Sequence, residues 1–376
     1  MSWEVKPLEE VCNVEFGTRV VKKKDGGSIY PVFGGGGATF SMDEFNREDR
    51  LVVARFAMSE QCTRFVQGKF FLNDSGLTVS PRDSKKLALD FLNYHLLALN
   101  DEIYALGKGT AQRNLESDAF RRLHLSIPDS LPEQQRIVGK LDAAFTALAE
   151  AQAHVERNRA NARELFESYL NGVFEGKGDG WVEKRLGDLI DIQNGYAFSS
   201  NEYKDEGHFL IRISNVQDGE ITLANPKYVA IDDSRLKRFI LNEGDILVSL
   251  TGNIGRVGIM QAEHLPAALN QRVARITLKD EKTIRHNFLF FFLRSNFFRE
   301  HLQAAGHGAA QQNVSTKEIA EVELSLPPLA EQQRVLDALR ELQIKTDDLE
   351  TTYQQKLTKL AGLKKAVLGA AFRGEL

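Results

Sequence analysis

The tetrapeptide Glu133-Gln134-Gln135-Arg136 occurs twice in this chain, because the same four residues return as Glu331-Gln332-Gln333-Arg334. Each copy opens a stretch of about 44 residues in which apolar or small side chains recur at spacings of four and three, which is typical of a coiled-coil seam. In the first stretch these are positions 137, 141, 144, 148, 151, 155, 158, 162, 165 and 169, and in the second they lie 198 residues further on. A continuous helix of that length would measure roughly 66 Å, so we expect two long helices that act as spacers.

Two polar residues interrupt the repeat at the same place, Asn158 in the first stretch and Lys356 in the second. Polar side chains at core heptad positions set register and partner choice at some cost in stability. A globular segment of about 150 residues separates the two helices, which allows them to pack antiparallel and to give the molecule a pseudo-two-fold axis. The alternative is two unrelated surface helices. The shared spacing and the shared ends, Phe174-Glu175-Gly176 and Phe372-Arg373-Gly374, argue against it.

Composition restricts the compartment and the partners. The hydrophobic fraction of 42% is ordinary for a soluble protein, and the longest apolar stretch, near residues 288–293, is too short to span a bilayer. Cys12 and Cys62 have no ligand spacing, so we expect neither a disulfide framework nor a zinc site. These features and an N-terminus without a secretion signal favour a reducing cytoplasm. Since the net charge is −4, a nucleic-acid partner would require a positive face assembled by folding, or cations from other subunits.

The globular segments that precede the two helices share a frame. Residues 3–11 and 181–189 correspond at an offset of 178, and residues 107–115 and 306–314 at an offset of 199, so the second segment holds 21 additional residues. Short β-branched runs bounded by Gly, Asn and Asp predict strands, and residues 91–99 and 288–293 predict buried helices, which gives an α+β domain in each half. We therefore predict a first domain at 1–128, a long helix at 129–176, a second domain at 177–327 and a second long helix at 328–376.

None of the candidate catalytic motifs is complete. Phe33 and the glycines at 34–37 fit the loose F-x-G-x-G pattern of loops that hold S-adenosylmethionine, but Asn225-Pro226-Lys227-Tyr228 lacks the second proline of the motif that should accompany it. We read the glycines as a turn or a close backbone approach to a ligand. Asp280-Glu281-Lys282 fits a solvated turn better than a nuclease motif. No phosphate-binding loop for ATP and no histidine cluster is present in the sequence, so we predict no catalytic residue and no metal site.

The sequence offers recognition chemistry instead. In both halves a Gly-x-Gly loop precedes Gln, Arg or Asn, the residue types that contact base edges in the major groove, and the glycines let the backbone approach a phosphate. The alternative is that the Gln and Asn residues common to both halves only cap a turn, so the residues that differ are better candidates for reading different bases. Other cations are candidates for phosphate contacts, or are ordinary surface charges. The DNA-binding candidates are Arg55, Arg64, Lys69, Lys108, Thr110, Gln112, Arg113, Asn253, Arg256, Arg272, His307, Gln311 and Gln312.

The duplicated order of these features resembles the specificity (S) subunit of type I restriction-modification systems. Each domain is followed by a Pro-containing turn, at residues 127–132 and 326–330, and then by Leu-x-Glu-Gln-Gln-Arg and a long helix. Residues 30–37, 210–216 and 244–249 look like common variants of target-recognition-domain sequence in that family. The match spans the whole chain.

The resemblance implies two target recognition domains in tandem, each reading half of a bipartite double-stranded DNA target, and two helices that fix the gap and dock two methyltransferase (M) subunits. It also implies a non-catalytic chain without a cofactor of its own. The M subunits bind S-adenosylmethionine and methylate adenine at N6, and restriction (R) subunits use ATP and Mg to translocate and cleave DNA. Because the domains differ internally, we expect an asymmetric target. The residues expected to set helix register or to dock subunits are Glu133, Gln134, Arg136, Asn158, Glu331, Gln332, Arg334 and Lys356.

Two other functions would fit parts of this pattern. A self-contained methyltransferase or nuclease would bind S-adenosylmethionine or cut DNA as the isolated chain. A coiled-coil scaffold whose globular ends bind protein would show no sequence-specific DNA binding in complex with an M subunit.

Overall fold

The computed structural model describes the chain except for residues 1, 111, 177 and 307–312. It divides into two compact units, Met1–Arg157 with Tyr353–Leu376, and Asn158–Thr352. Each unit contains one globular domain together with part of both long helices. No helix in the described part of the chain is long and apolar enough to cross a membrane.

The domain of the first unit is built on mostly antiparallel strands, with one parallel pair, and short helices. Its strands are β1 (Trp3–Pro7), β2 (Cys12–Phe16), β3 (Tyr30–Phe33), β4 (Ala38–Met42), β5 (Arg47–Ala54), β6 (Thr63–Leu72), β7 (Gly76–Pro81), β8 (Gly107–Lys108), β9 (Asn114–Leu115) and β10 (His124–Pro128). Its helices are α1 (Leu8–Val11), α2 (Lys22–Asp25), α3 (Leu89–Ala98), α4 (Asn100–Ala105) and α5 (Ser117–Arg121).

Six of these strands form one sheet in the order β2-β7-β5-β6-β3-β4. The alternation of buried and exposed residues along β2 and the continuous buried run at the end of β5 place one core under the sheet, where Phe91 of α3 and Phe120 of α5 are fully buried. Strand β1 pairs antiparallel with β10, so the two ends of the domain meet just before the first long helix, α6 (Leu131–Glu175), begins.

The domain of the second unit has more and shorter strands. They are β11 (Val182–Arg185), β12 (Ile190–Asn194), β13 (Tyr203–Lys204), β14 (His208–Ile211), β15 (Tyr228–Val229), β16 (Ile240–Leu241), β17 (Ile246–Ser249), β18 (Val257–Ile259), β19 (Ala267–Leu269), β20 (Val273–Leu278) and β21 (Glu323–Leu326). The helices are α7 (Leu186–Leu189), α8 (His286–Arg294), α9 (Asn296–Ala305), α10 (Thr316–Glu321) and the second long helix α11 (Leu329–Phe372), with 3₁₀ turns at Ser200–Glu202, Ser234–Phe239 and Ala262–His264.

The second domain repeats the plan of the first with an enlarged insertion. Its sheet β12-β20-β17-β18 corresponds to β2-β7-β5-β6, and β11 pairs with β21 as β1 pairs with β10. Most of the additional residues lie between β12 and β17, where they contribute to a separate five-stranded sheet in the order β13-β15-β14-β19-β16. The buried helices predicted at 91–99 and 288–293 are confirmed as α3 and α8, and the glycines at 34–37 form the turn between β3 and β4.

The two long helices pack against each other within each unit. In the first unit the start of α6 shares a core with the end of α11 through Ile137 and Leu368. In the second unit the end of α6 shares a core with the start of α11 through Leu170 and Leu339. The start of one helix thus lies beside the end of the other. The predicted fold, two tandem α+β domains with an antiparallel pair of long helices, is confirmed.

The predicted seam is wrong in the later part of both helices. Beyond position 155 the buried residues of α6 follow every fourth position, from Ala162 to Phe166 and Leu170, whereas Leu165 and Tyr169 are 54% and 42% exposed. The second domain causes this change. Phe166 and Phe174 contact aromatic residues of α8, so the buried face of α6 here is the one that carries these two side chains.

The second long helix, α11, also departs from the predicted seam. Leu349 and Leu363 are 40% and 49% exposed, although the predicted seam placed both in the helix interface. Asn158 and Lys356 are exposed as well, so the prediction that they are polar residues within a buried seam is wrong.

Candidate nucleic-acid interface

In each domain the segment before the last short helix lies beside the end of one central strand. In the first domain the segment after β5 runs beside β9, since Leu115 N donates to Arg55 O at 2.8 Å and Met58 N to Arg113 O at 2.8 Å. In the second domain Val314 N donates to Leu250 O at 2.9 Å. In the first domain the Gly-x-Gly loop therefore leads into a segment beside the end of β5, and Val314, the repeat equivalent of Leu115, lies beside the end of the equivalent strand β17.

The asparagine common to both loops is a structural clamp. Asn114 Oδ1 accepts a hydrogen bond from Ala57 N at 3.2 Å. In the second domain Asn313 Oδ1 accepts one from the Thr251 hydroxyl at 2.7 Å. This supports the alternative in which shared polar residues fix the loop, and it leaves base contacts to residues that differ between the domains.

Arg113 shapes its loop from inside. Its Nε and Nη2 donate to Gly107 O at 3.3 and 3.1 Å, and its guanidinium lies 4.5 Å from the ring centroid of Tyr104. Gly109 has a φ of +118°, and a Cβ there would collide with the carbonyl of Gln112, so the turn requires glycine. Arg113 was predicted to read a base, but the structure directs much of its hydrogen-bonding capacity to the loop itself.

Three predicted contact residues remain available at the loop tip, where Lys108, Thr110 and Gln112 are all exposed. The Lys108 ammonium is held 2.6 Å from Glu116, and its side chain is nevertheless 75% exposed. A surface ion pair of this kind contributes little to stability, so the Lys108 ammonium can leave Glu116 and contact a phosphate instead.

A second group of cations lies beside these loops. Arg55 donates to Asp74 O at 2.9 Å, and its guanidinium lies 4.3 and 4.8 Å from the rings of Phe16 and Phe56. Both rings are about two-fifths exposed, at 39% and 43%. Arg64 approaches the glycine turn, because a Cβ at Gly37 would lie 3.1 Å from its Nη1. Together these residues form a surface with positive charge and exposed aromatic rings, which suits a nucleic acid.

Lys69 does not join this group. It lies five residues beyond Arg64 on β6, about 16 Å along the strand, and its ammonium contacts the ring of Phe45 at 4.6 Å.

In the second domain the predicted residues gather around the loop after β17. Leu250 N donates to Arg272 O at 3.0 Å, which places the exposed Arg272 beside the exposed Asn253. Arg256 is half-buried and donates to Gln217 Oε1 at 3.0 Å. The three remaining candidates, His307, Gln311 and Gln312, lie outside the described residues.

Two of the residues expected to set helix register or to dock subunits are buried. Gln134 and Gln332 are 0% exposed and hydrogen-bond to their own domains, which leaves them no exposed surface for a partner subunit. Their expected role in helix register stays a prediction. Glu133 and Arg136 form a bidentate pair at 2.6 and 2.7 Å, and this contact lowers the pKa of Glu133. Glu331 and Arg334 lie 2.8 Å apart in the same way. Docking by these four charged residues stays a prediction.

Sequence reasoning missed an apolar face on the helix pair. Leu165 and Tyr169 of α6 are exposed next to Ala338 and Leu342 of α11, around a shallow groove of about 330 Å³. We call these four residues the outer helix face. In the other unit Leu363 of α11 is the repeat equivalent of Leu165 and is 49% exposed. The four-residue spacing of Ala162, Phe166, Leu170 and Phe174 was the signal that would have revealed this face.

No group of three or more His, Cys, Asp or Glu side chains suited to a metal ion occurs in the described part of the chain. Burial raises the pKa of the Cys12 thiol to about 12 and that of the Cys62 thiol to about 11. Both thiols are therefore protonated near neutral pH and poor nucleophiles.

The family model described as the type I restriction modification DNA specificity domain matches residues 1–156 and 178–359. The chain is 25% identical over 330 residues to the type I restriction enzyme MjaVIII specificity subunit of Methanocaldococcus jannaschii, an alignment that covers 82% of this chain and 76% of that protein. It is 26% identical over 313 residues to the EcoBI specificity subunit of Escherichia coli, covering 75% of this chain and 65% of the relative, just under two thirds.

Two solved structures share the fold over the whole chain. One, from work on complex assembly and conformational transition of the type I R-M system, has a TM-score of 0.73 at 17% identity and covers 100% of this chain and 98% of that one. The other, the HsdS subunit from Thermoanaerobacter tengcongensis, has a TM-score of 0.54 at 20% identity and covers 100% of this chain and 97% of that one.

Proposed function

The chain belongs to the type I restriction-modification DNA specificity family, and on that premise we propose that its two domains read the two halves of one asymmetric DNA target within a complex with M and R subunits. The observation that carries this proposal is the repeated loop pair. Leu115 and Val314, which correspond in the repeat, lie at the ends of β5 and β17, and the loop sequences that precede them differ. Each domain shares a core with both long helices.

In each domain the shared asparagine fixes the loop, and other loop residues read the DNA. The clamps Asn114 and Asn313 hold equivalent loops at equivalent strands. In the first domain Lys108, Thr110 and Gln112 are exposed at the tip and can reach base edges or phosphates. The second domain has His307 and Ala309 at the positions of Lys108 and Thr110, and only Gln112 is matched, by Gln311. The two positions that differ would select a different half-site, which makes the target asymmetric.

The outer helix face supports docking of M subunits. A partly exposed leucine and tyrosine beside Ala338 and Leu342 expose apolar surface that a helix of a partner would bury. Because the internal repeat places Leu363 in the other unit as the counterpart of Leu165, we propose one M subunit for each unit. The M subunits would bind S-adenosylmethionine and methylate adenine at N6, and R subunits would bind ATP and Mg to cleave DNA, while this chain supplies specificity.

Partner subunits would also explain how a chain with net negative charge can bind DNA. The chain is net negative, at −4, and the cations near the loops are few, so affinity for the DNA backbone must come largely from other subunits. We therefore expect sequence preference to reside in this chain and much of the salt-dependent affinity to reside in the complex.

The test is selection of DNA from a randomised duplex library by the complex of this chain with the M subunit encoded nearest to it. The proposal predicts two unrelated short motifs at a fixed separation. Replacing Lys108, Thr110 and Gln112 by alanine should reduce the base preference in one motif and leave the other motif unchanged. A complex that forms but selects no sequence would contradict the proposal and favour the scaffold function.

A further inference from the structure

We infer that Gln134 and Gln332 are positioning residues that fix the angle between each domain and its long helix, and thereby the separation of the half-sites that the complex accepts. The inference rests on the proposed function, and it concerns the distance between two half-sites rather than the reading of either one.

Gln134 joins the first domain to the first turn of α6 through all the polar atoms of its side chain. Its Oε1 accepts from Ala88 N at 2.8 Å, and its Nε2 donates to Lys86 O at 2.8 Å and to Pro128 O at 3.1 Å. These backbone groups belong to the segment before α3 and to the end of β10. One amide therefore connects two parts of the domain to the helix.

Gln332 makes the same three contacts in the second domain. Its Oε1 accepts from Arg285 N at 2.8 Å, and its Nε2 donates to Thr283 O at 3.1 Å and to Pro327 O at 2.9 Å. The acceptors again lie just before the buried helix, here α8, and just after the last strand, β21. The joint is thus preserved although most of the surrounding sequence differs.

Only a glutamine suits this position. The side chain is 0% exposed in both copies, so water cannot replace a lost partner, and an unpaired buried amide or carbonyl is costly. Glutamate would retain the acceptor but direct a carboxylate at two carbonyl oxygens. Methionine would fill the volume and leave one N–H and two carbonyls without partners.

The opposite long helix holds each domain at a second point. In the first unit Phe372 of α11 stacks on His95 of α3, with ring centroids 4.2 Å apart. In the second unit Phe174 of α6 packs edge-on against Phe288 and Phe292 of α8 at 5.3 and 5.4 Å. Phe174 and Phe372 are repeat equivalents. Each domain is thus fixed by the start of one helix and the end of the other, which permits little tilting.

Small tilts matter for the spacing of half-sites. One base-pair step is about 3.4 Å, and a domain of 128 residues is roughly 36 Å across. A tilt of about 5–10° at the joint would therefore move the reading surface by one step. Loosening the glutamine joint should relax the separation that is accepted and leave the bases read in each half-site unchanged.

The experiment uses the full chain in complex with M subunits and measures methylation rates on duplexes whose half-sites are separated by the preferred spacer or by one base pair more or less. Gln134→Met and Gln332→Met should lower discrimination between spacers at least tenfold, and single-base changes within a half-site should remain as harmful as in the wild type. Gln135→Met is the matched control, because Gln135 is the exposed neighbour in the same motif, and it should change discrimination less than twofold.

If a methionine variant does not assemble, the milder Gln→Asn variants retain the amide and retract it by one methylene, and they should relax discrimination by a smaller factor. Variants that lose activity in proportion to the amount of folded complex, with spacer discrimination unchanged, would overturn the inference and leave the glutamines a role in stability alone. A wild-type complex with no bipartite preference would instead refute the proposed function.

Discussion

Replacing Leu165 and Tyr169 with serine should weaken binding of the M subunit by about 30-fold. The two side chains are 54% and 42% exposed in the chain alone, so each has roughly half of its surface left to bury. Burying a whole side chain of this size contributes about 1.5–3 kcal/mol, and half of that is about 1 kcal/mol for each residue. Two such losses make about 2 kcal/mol, which corresponds to about 30-fold in Kd.

The assay is a calorimetric titration of the purified chain with the M subunit, and it should resolve two binding events. The double variant should weaken one event, and Leu363→Ser should weaken the other, because Leu363 is the counterpart of Leu165 in the repeat. Glu164→Ser is the matched control, since Glu164 is exposed on the neighbouring face of α6 and should leave both events unchanged.

The thermal stability of the free chain serves as a second control. The replaced side chains are partly solvated, so Tm should move little. Affinity within twofold of the wild type for both events would refute the claim that the outer helix face docks the M subunit. A fall in affinity that only follows a lowered Tm would also count against it.

Further expectations follow from buried polar groups and from the exposed loop. Burial lowers the pKa of His95 from 6.5 to about 4, so the folded state favours the neutral ring. The stability that the neutral ring contributes is complete above pH 6.5 and is lost as the pH falls toward 4, so the free energy of unfolding measured in urea should fall by up to about 3 kcal/mol. His95→Phe should remove this pH dependence. An unchanged pH profile in the variant would contradict the assignment. Both polar atoms of Asn93 are buried without a hydrogen-bond partner among the described residues. Asn93→Leu should therefore raise the free energy of unfolding by about 1–2 kcal/mol. A lower free energy of unfolding in the same urea assay would show that the amide has a partner. Alanine at Lys108, Thr110 and Gln112 together should leave Tm within about 1 °C and reduce DNA affinity of the M complex at least tenfold, since these side chains are exposed; unchanged affinity in a gel-shift assay would remove the tip from the interface.

The parts of the structure that depend on local pattern could be predicted from the sequence. The two long helices, the buried helices α3 and α8 and the repeated frame of the domains all follow from periodicity and from an internal repeat. The glycine turn at 34–37 follows from the conformational freedom of glycine, and Gly37 indeed has a φ of +123°.

The parts that depend on distant contacts could not be predicted. The buried stripe of α6 shifts because α8 contacts Phe166 and Phe174, and no heptad count includes that contact. The glutamines of the repeated tetrapeptide were expected, from the resemblance alone, to set helix register or to dock subunits, and no local pattern predicts that they are buried. Their burial depends on backbone groups 46 and 47 residues earlier in the chain. The inward orientation of Arg113 depends on closer neighbours, since its guanidinium contacts the Tyr104 ring and donates to Gly107 O, and the residue type alone does not reveal these contacts.

The most direct test of the central claim is to coexpress this chain with the M subunit encoded nearest to it and to map N6-methyladenine across the genome by single-molecule sequencing. The account predicts one split, non-palindromic motif with a fixed gap and one methylated adenine in each half. A complex that forms without modifying any motif, or a single uninterrupted motif, would contradict the claim that two domains on two helices read two half-sites.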